Sequence, residues 1–322
     1  MSILEVKNLK KYFPIREGVF NRVSSHVHAV ENVNLSLDEM QTFSLVGESG
    51  CGKSTTGRAI LRLHEPTEGE ILFNNKNIMD YNKEQMRKLR KDMQIIFQDP
   101  YSSLNPRMTV EQLLMEPLIT HTGYSRSQIN KEILKIMDQV GLAAKYVDRY
   151  PHQFSGGQRQ RISIARALIT KPAFVVADEP VSALDVSIQA QIINLLIELQ
   201  KEMKLTYLFI SHDLNVVKHI SDKVAVMYLG NIVEKGYTDD LYSNPRHPYT
   251  KALLASVPNL DPEKKMEIKP LEGDVPSPVN PPNGCPFHTR CPNVMDICRS
   301  KKPISKVFEK GHEVACHLYE GD

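Results

Sequence analysis

The stretch GESGCGKST, residues 47–55, decides the fold. It fits the phosphate-loop pattern G-x-x-x-x-G-K-[ST] through Gly47, Gly52, Lys53 and Ser54. In such a loop the glycines let backbone N–H groups close around phosphates, the lysine neutralises the β and γ phosphates, and the serine hydroxyl ligates Mg²⁺. The apolar run TFSLV precedes the loop as a predicted strand, and KSTTGRAILRL follows it with helical spacing. This order of strand, loop and helix predicts an α/β nucleotide-binding fold.

The whole loop is expected to surround the phosphates, because its backbone amides do most of the binding. The candidate ATP-binding residues of the loop are Gly47, Glu48, Ser49, Gly50, Cys51, Gly52, Lys53, Ser54 and Thr55. We interpret Cys51 as a small filler whose backbone contacts the phosphates, and the alternative is a redox-sensitive thiol.

A second candidate centre is the acidic end of the strand in VVADE. The predicted strand 174–177 delivers Asp178 and Glu179 to its carboxyl end, where ligands bind in α/β sheets. Asp178 suits a role at Mg²⁺, and the next side chain, Glu179, points elsewhere, toward a water that attacks the γ-phosphate. The alternative is an ordinary acidic pair on the surface.

Two further strand ends carry candidate polar groups. Gln98 follows the strand MQIIF, where its amide can contact Mg²⁺ and water, so the candidate Mg²⁺ contacts are Ser54, Gln98 and Asp178. His212 follows the strand YLFIS and could hold the γ-phosphate by a hydrogen bond. Taken alone, each of these residues is more typical of a structural role.

The periodicity divides the chain into regions. Residues 1–45 alternate polar and apolar side chains, which predicts strands. From about residue 100 to 155 amphipathic helices follow one another without a strand, which predicts a helical subdomain nested in the α/β domain. Residues 258–284 hold seven of the 20 prolines, so this segment is expected to be an extended linker.

Composition excludes several classes of protein. Of the 322 residues 41% are hydrophobic and 24% charged, as in globular proteins. The formal net charge is +2, so no positive field points to nucleic acid as a partner. The N-terminus has no signal-peptide core, and no apolar run approaches the roughly 18 residues that span a bilayer. We therefore expect a cytosolic chain that reaches a membrane only through a partner.

The stretch FSGGQRQR, residues 154–161, contains a second predicted helix N-terminus that is suited to bind an anion. One nucleotide has no need of two phosphate cradles in one chain. The economical explanation is a dimer in which the SGGQ of each chain, residues 155–158, caps the nucleotide held by the phosphate loop of the other.

The order of these motifs resembles the ATP-binding subunits of ABC transporters, and the resemblance covers about residues 2–256. It implies a P-loop NTPase of ABC type with an N-terminal antiparallel β-subdomain. It also implies that Glu179 is the catalytic base, that His212 is the switch residue and that Asp185 lies at the dimer seam. Tyr12 is the best match for the aromatic that stacks on adenine, with a packed strand aromatic as the alternative. The residues that would contact the partner's ATP are Ser155, Gly156, Gly157 and Gln158.

The last third of the chain narrows the resemblance. HPYTKALLASVP, residues 247–258, and the cysteine-rich end look like the C-terminal extension of oligopeptide and dipeptide importer ATPases, of the second or F type. This implies an ATPase domain over 1–256 and an extension over 257–322. It also implies a sister ATPase that forms a heterodimer with this chain, two permease subunits and an extracytoplasmic peptide-binding protein. Residues 98–107 of this chain would bind short cytoplasmic helices of the permease. The chain would then work as a peripheral subunit at the cytoplasmic face of the membrane.

Four cysteines in the last 38 residues form a candidate metal site. Cys285, Cys291, Cys298 and Cys316 have the spacing C-x5-C-x6-C-x17-C, whose thiolates could hold zinc or an iron–sulfur cluster. Neither C-x2-C pair of a zinc ribbon is present, and the resemblance favours a [4Fe–4S] cluster as a structural staple. Zinc, with His288, His312 or His317 as substitute ligands, and no metal at all are the alternatives.

Three other functions compete with peptide import. An importer ATPase for nickel or another small solute would have the same motifs, because the permease and binding protein choose the substrate. An ABC-type ATPase of translation or repair would have two cassettes or long coiled coils, and the sequence has neither. A nucleotide sensor without hydrolysis would lack Glu179 or His212, and both are present.

Overall fold

The computed structural model describes residues 2–18, 20–256 and 273–320. Its strands, in chain order, are β1 (Ser2–Glu17), β2 (Arg22–Asp38), β3 (Thr42–Val46), β4 (Glu68–Phe73), β5 (Lys76–Asn77), β6 (Met93–Ile96), β7 (Phe174–Asp178), β8 (Thr206–Ile210), β9 (Lys223–Tyr228), β10 (Asn231–Tyr237), β11 (Ser305–Val307) and β12 (Glu313–Ala315). Its helices are α1 (Lys53–Ile60), α2 (Lys83–Leu89), α3 (Pro100–Ser103), α4 (Val110–His121), α5 (Arg126–Gln139), α6 (Gly156–Leu168), α7 (Val186–Met203), α8 (Leu214–Ile220), α9 (Thr238–Ser243), α10 (Pro248–Ala255) and α11 (Asp296–Ser300).

The chain divides into two units, each formed by separate stretches of sequence. The helical unit consists of residues 38–42 and 78–210. The phosphate-loop unit consists of residues 2–37, 43–77 and the described residues from 211 onward. The phosphate loop therefore belongs to one unit, and the acidic end of β7 belongs to the other.

The helical unit contains a parallel sheet in the order β6, β7, β8, with the predicted strands at their expected places. All five residues of β7 are buried, because a parallel strand in the middle of a sheet is covered on both faces. Between β6 and β7 the chain forms helices and turns and no strand, as the sequence predicts for the nested region.

Four helices of this unit begin with the same local device. The N-cap side chain accepts from the backbone N–H three residues later, and a glutamine there bonds back to the N-cap N–H. This reciprocal capping box satisfies two backbone donors that a helix start leaves open. The pairs are Asn82 and Gln85, Thr109 and Gln112, Ser125 and Gln128, and Ser155 and Gln158.

The phosphate-loop unit contains two sheets. The antiparallel sheet predicted for the N-terminal region has the order β2, β1, β4, β5. In the other sheet β3 pairs with β9 in parallel, and β9, β10, β12 and β11 follow in antiparallel order. Strand β3, which leads into the phosphate loop, is buried along its whole length.

The C-terminal segment, described over residues 273–320, packs onto the rest of the phosphate-loop unit. The sequence predicts a proline-rich tail too small to bury a core of its own, and in the structure β12 pairs with β10 while Phe287 and Val314 are fully buried. The segment therefore shares the core of the phosphate-loop unit. The predicted proline-rich linker 258–284 lies partly outside the described residues; its described part, 273–284, contains no helix or strand.

A buried carboxylate joins this segment to β10. Glu234 accepts hydrogen bonds from the backbone N–H groups of Arg246 and His247, at 2.7 and 2.9 Å, and its Oε1 lies 2.7 Å from Nε2 of His312. Burial by itself would raise the pKa of Glu234, but these hydrogen bonds outweigh it and lower the pKa below its usual value. Burial also lowers the pKa of His247 to about 4.

Within the described residues, no helix combines the length and apolar character needed to cross a bilayer.

Candidate functional site

The phosphate loop closes tightly because two glycines leave no room for a side chain. Gly47 has φ 149° and Gly52 has φ 105°, conformations that residues with a Cβ rarely adopt. A Cβ on Gly47 would lie 2.1 Å from the carbonyl oxygen of Met227, and one on Gly52 would lie 2.1 Å from that of Ala29. The pattern G-x-x-x-x-G therefore has a steric cause in this chain.

Helix α1 begins at Lys53 directly after Gly52, and no side chain caps its N-terminus. Uncapped backbone N–H groups and the helix dipole suit a phosphate at this end. The side chain of Lys53 is buried, and its Nζ donates to the carbonyl oxygens of Gly47 and Glu48 at 2.8 and 2.9 Å. The loop and the start of α1 therefore fit a nucleoside triphosphate, and the side chain of Lys53 is held inside the loop.

Glu48 is held at three points, two of them by residues from outside the loop. Its backbone N–H donates to the hydroxyl oxygen of Tyr249 at 2.9 Å, and its carbonyl oxygen accepts from Lys53. Its carboxylate pairs with both terminal nitrogens of Arg290, at 2.8 and 3.2 Å. Tyr249 and Arg290 are not among the predicted site residues, because they lie 201 and 242 residues from Glu48 in the sequence.

The acidic centre lies where the sequence predicts it, at the carboxyl end of β7. Asp178 ends the strand and is fully buried, and Glu179 follows it at the left-handed φ of 47°. This conformation is uncommon for a residue with a side chain. The backbone N–H of Glu179 donates to Ile210 at 3.0 Å, which fixes the turn.

The structure brings Gln98 and Glu179 together. The side-chain amide of Gln98, after β6, donates to the carboxylate of Glu179 at 2.9 Å. Gln98, Asp178 and Glu179 all belong to the helical unit, and Ser54, in α1, belongs to the phosphate-loop unit. Mg²⁺ binds oxygen ligands, and Ser54, Gln98 and Asp178 each carry a suitable side-chain oxygen.

The SGGQ sequence forms the predicted helix start. Ser155 is the N-cap of α6, and its capping box with Gln158 holds the first turn. Gly156 is exposed, and a Cβ on Gly157 would lie 2.6 Å from Cγ2 of Ile188. A side chain at position 157 would therefore force Ile188 of α7 to shift.

Two other predicted residues lie at or just before helix starts. Asp185 is exposed and is the N-cap residue of α7, without a side-chain cap hydrogen bond. His212 is exposed and follows Ser211, which accepts the backbone N–H of Asp213. His212 belongs to the phosphate-loop unit, and Asp185 belongs to the helical unit.

Tyr12 lies on β1 and is half-buried. Its hydroxyl donates to Oε2 of Glu31 at 2.6 Å, and its ring centroid is 4.2 Å from that of His28. Burial and the contact with Glu31 raise the pKa of the Tyr12 hydroxyl. The ring is thus fixed in orientation, which both an adenine-stacking role and a packing role would require.

The four late cysteines are free thiols in one neighbourhood. Burial raises the pKa of Cys285 and Cys316 to about 11, and nearby thiols, Cys291 and Cys298 among them, add to the rise. Within the described parts of the chain, however, no three or more His, Cys, Asp or Glu side chains are placed to hold a metal ion. The thiols as they stand do not form a cluster site.

The three histidines considered as substitute zinc ligands are engaged elsewhere. His312 contacts Glu234, and Nδ1 of His317 lies 2.6 Å from Glu320. Nδ1 of His288 lies 2.8 Å from the carbonyl oxygen of Cys285.

Two family descriptions match the chain. Residues 30–182 match the ABC transporter family, and residues 233–298 match the C-terminal region of oligopeptide/dipeptide transporters. The first range runs from before the phosphate loop to after Glu179, and the second includes Tyr249 and Arg290.

Curated relatives match over nearly the full length. The chain is 54% identical to the oligopeptide transport ATP-binding protein AppF of Bacillus subtilis, covering 99% of this chain and 98% of that protein. It is 49% identical to the dipeptide transport ATP-binding protein DppF of Haemophilus influenzae, covering 98% and 96%.

Solved structures agree on the fold. A dimeric post-hydrolysis structure of the ATP-binding cassette MJ0796 with ADP and Pi has a TM-score of 0.65 at 31% identity, covering 73% of this chain and 98% of that one. The structure of cbiO1 from Clostridium perfringens also has a TM-score of 0.65, at 28% identity, covering 76% and 91%. With these matches, the chain belongs to the ATP-binding proteins of the ABC transporter family and carries the C-terminal region of the oligopeptide/dipeptide transporters.

Proposed function

We propose that this chain binds and hydrolyses ATP and thereby powers the import of oligopeptides or dipeptides through a membrane permease. The hydrogen bond between Gln98 and Glu179 is the observation that carries the proposal. It links the carboxylate suited to activate water with the start of the helical region. The relatives that match over almost the whole chain are ATP-binding proteins of oligopeptide and dipeptide transport, which supports peptides as the substrate.

Each residue of the site has a role in this proposal. Lys53 and the loop amides bind the β and γ phosphates, while Ser54, Gln98 and Asp178 serve Mg²⁺. Bound Mg·ATP supplies the phosphoryl bond that is cleaved. Glu179 accepts the proton of the attacking water, and His212 donates a hydrogen bond to the γ-phosphate. Tyr12 stacks on the adenine.

The second ATPase of the complex is proposed to be a different, sister subunit. Ser155, Gly156, Gly157 and Gln158 would face the ATP of that partner, and Asp185 would lie at the seam. Support comes from the exposed start of α6 and from the dimeric form in which the MJ0796 cassette was solved. A heterodimer would sit beneath two permease subunits at the cytoplasmic face of the membrane, supplied by an extracytoplasmic peptide-binding protein.

The permease contact is assigned to the helical unit. A shallow cavity of ≈ 440 Å³ is lined by residues of the turn before α4 and of α4 itself, among them Met108, Met115 and Ile119. Ile119 is 60% exposed, and Arg107 at the same cavity adds a positive charge. An apolar groove with a charged rim suits a short amphipathic helix of a permease, which extends the predicted contact at residues 98–107.

The domain boundaries and the cysteines belong to the proposal as well. We assign residues 1–256 to the ATPase, with a helical subdomain near 100–155, and residues 257–322 to the extension. The spacing C-x5-C-x6-C-x17-C of Cys285, Cys291, Cys298 and Cys316 supports a [4Fe–4S] site, for which the four side chains would have to take up positions other than those in the structure. Anaerobic purification with iron and sulfide analysis tests it, and an iron-free, colourless protein would refute it.

The experiment that tests the function uses the membrane complex. The tagged chain is purified from membranes, its partners are identified by mass spectrometry, and the complex is reconstituted in vesicles. ATP-dependent uptake of a labelled peptide is expected, with nickel ions as the competing substrate. Recovery without a permease, or uptake of nickel and not of peptide, would contradict the proposal.

A further inference from the structure

Three aromatic side chains form a cluster next to the phosphate loop, and none of them has a role in the proposed mechanism. Tyr228, Tyr249 and Phe287 are fully buried and pack ring against ring, with centroids 4.7 to 5.3 Å apart. They come from the end of β9, from α10 and from the C-terminal segment. Arg290 lies beside them, with its guanidinium carbon 6.0 Å from the Tyr228 ring centre.

Two polar groups project from this cluster onto one residue of the loop. Tyr249 accepts the backbone N–H of Glu48, and Arg290 grips the Glu48 carboxylate with both terminal nitrogens. The Arg290 side chain is only 7% exposed and that of Glu48 27%, so water weakens this pair less than a surface pair. Because the N–H and the carboxylate are both held, the peptide of Glu48 has a fixed orientation.

The fixed orientation of Glu48 has a consequence for Lys53. The carbonyl oxygen of Glu48 is one of the two acceptors that hold the Lys53 ammonium inside the loop. If Glu48 turned, this acceptor would move, and the loop would lose the shape that the tight approaches of Gly47 and Gly52 define. Arg290 therefore acts on Lys53, the lysine proposed to bind the phosphates, indirectly through Glu48.

The same C-terminal segment also reaches the Tyr12 side of the unit. The backbone N–H of His28 donates to the carbonyl oxygen of Pro278 at 2.9 Å, and the His28 ring lies against Tyr12. The segment thus contacts the phosphate loop directly, through Arg290 and Glu48, and reaches the predicted adenine-stacking ring of Tyr12 only through His28.

We propose that Arg290, together with Tyr249, is a positioning residue for ATP binding: the C-terminal segment holds Glu48 and thereby preorganises the phosphate loop. The proposal rests on the ATP-binding function proposed above and adds to it a residue outside the ATPase motifs. Preorganisation lowers the cost of ordering the loop when nucleotide binds, so its loss should weaken binding more than it slows hydrolysis.

The test compares variants of the full-length chain. Arg290→Gln is expected to raise the Kd for Mg·ATP about tenfold while kcat in the reconstituted transporter changes less than about twofold. Amide hydrogen exchange in residues 47–52 without nucleotide should become faster. Arg290→Lys keeps the charge without the two-pronged geometry and should fall between wild type and Arg290→Gln. Arg299→Gln, an exposed arginine of the same segment, is the matched control and should bind like wild type.

A double variant separates positioning from general stability. If Arg290 acts through Glu48, then Glu48→Gln combined with Arg290→Gln should weaken ATP binding no more than either change alone. A folded Arg290→Gln chain with wild-type Kd and wild-type loop exchange would overturn the proposal, even if its melting temperature fell. If Arg290→Gln fails to fold, Arg290→Lys and Glu48→Gln decide by the same two measurements. If the wild-type chain bound ATP without hydrolysing it, the proposed function would be wrong. The comparison of ATP affinities among the variants would still test the role of Arg290.

Discussion

The amide of Gln98 donates a hydrogen bond to the carboxylate of Glu179 across 2.9 Å, and the two residues stand 81 positions apart in the sequence. Gln98 follows β6 and leads into the helical region, whereas Glu179 follows β7. Because the amide occupies one carboxylate oxygen, a displacement of the helical region at Gln98 would change the environment of the group proposed to activate water. This gives a physical route by which the proposed permease surface and the proposed hydrolytic site could influence each other.

The first prediction concerns Glu179. Glu179→Gln removes the proton acceptor and leaves the phosphate loop unchanged, so hydrolysis in the assembled transporter should fall at least about a hundredfold. ATP binding should remain, measured by equilibrium binding of a fluorescent analogue. Glu198→Gln, an exposed glutamate on α7, is the control. Normal turnover of Glu179→Gln would rule out the assigned role.

The second prediction concerns the packing of Gly157. Gly157→Ala should lower the free energy of unfolding by about 1–3 kcal/mol, because the new Cβ would stand 2.6 Å from Cγ2 of Ile188. Adding Ile188→Ala should recover part of this loss in chemical denaturation. Gly156→Ala places its Cβ 3.5 Å from Leu184, an ordinary contact, and should not destabilise the chain. Equal effects of the two glycine changes would mean that Ile188 yields easily.

The third prediction separates the two interpretations of Tyr12. Tyr12→Ala should raise the Kd for ATP about tenfold, since stacking of a base on an aromatic ring is worth about 1–3 kcal/mol. Tyr12→Phe keeps the ring and loses only the hydrogen bond to Glu31, so its Kd should stay within about twofold. Wild-type affinity in Tyr12→Ala would assign the ring to strand packing alone.

The fourth prediction is a loss of stability in acid. His247 has its pKa lowered by burial from 6.5 to about 4, so the unfolded chain takes up this proton at higher pH than the folded chain. Its stabilising contribution is complete above pH 6.5 and disappears as the pH falls to 4, an effect on the order of 2–3 kcal/mol. Glu234, whose pKa is also lowered, acts in the same direction below its unfolded value of about 4.5.

Urea denaturation between pH 7.5 and 4.5 measures this effect. His247→Asn retains a side chain able to cap α10 and should flatten the pH dependence between 6.5 and 4. His26→Asn, at an exposed histidine, should leave the slope unchanged. A slope that His247→Asn does not alter would place the acid sensitivity elsewhere.

The sequence was sufficient where function depends on neighbouring residues. Gly47, Gly52 and Lys53 act within one loop, so their spacing alone predicts the loop and the helix start, although not the close approaches to Met227 and Ala29. The carboxyl end of β7 was equally predictable, because a run of five apolar and acidic residues marks a buried strand and its end. Nothing local, in contrast, could reveal the left-handed conformation of Glu179 or its contact with Gln98.

The C-terminal segment was the least predictable part of the phosphate-loop unit. Strands β11 and β12 have three residues each, too few to show an alternating pattern. In the sequence Arg290 is an arginine between two cysteines, with no sign of a special role. Only the folded chain brings it to Glu48. The string HPY indicates a family resemblance, but only the tertiary structure brings the hydroxyl of its tyrosine, Tyr249, to the loop.

The pairing of β10 with β12 bears on how the protein behaves when it is cut. A chain ended at residue 256 would expose the hydrogen-bonding groups of β10, where Glu234 and Lys235 now pair with Val314 and Glu313. Unpaired strand edges recruit strands of other molecules, so the shortened ATPase should self-associate as its concentration rises. The C-terminal segment thus protects the ATPase from aggregation by covering the edge of β10.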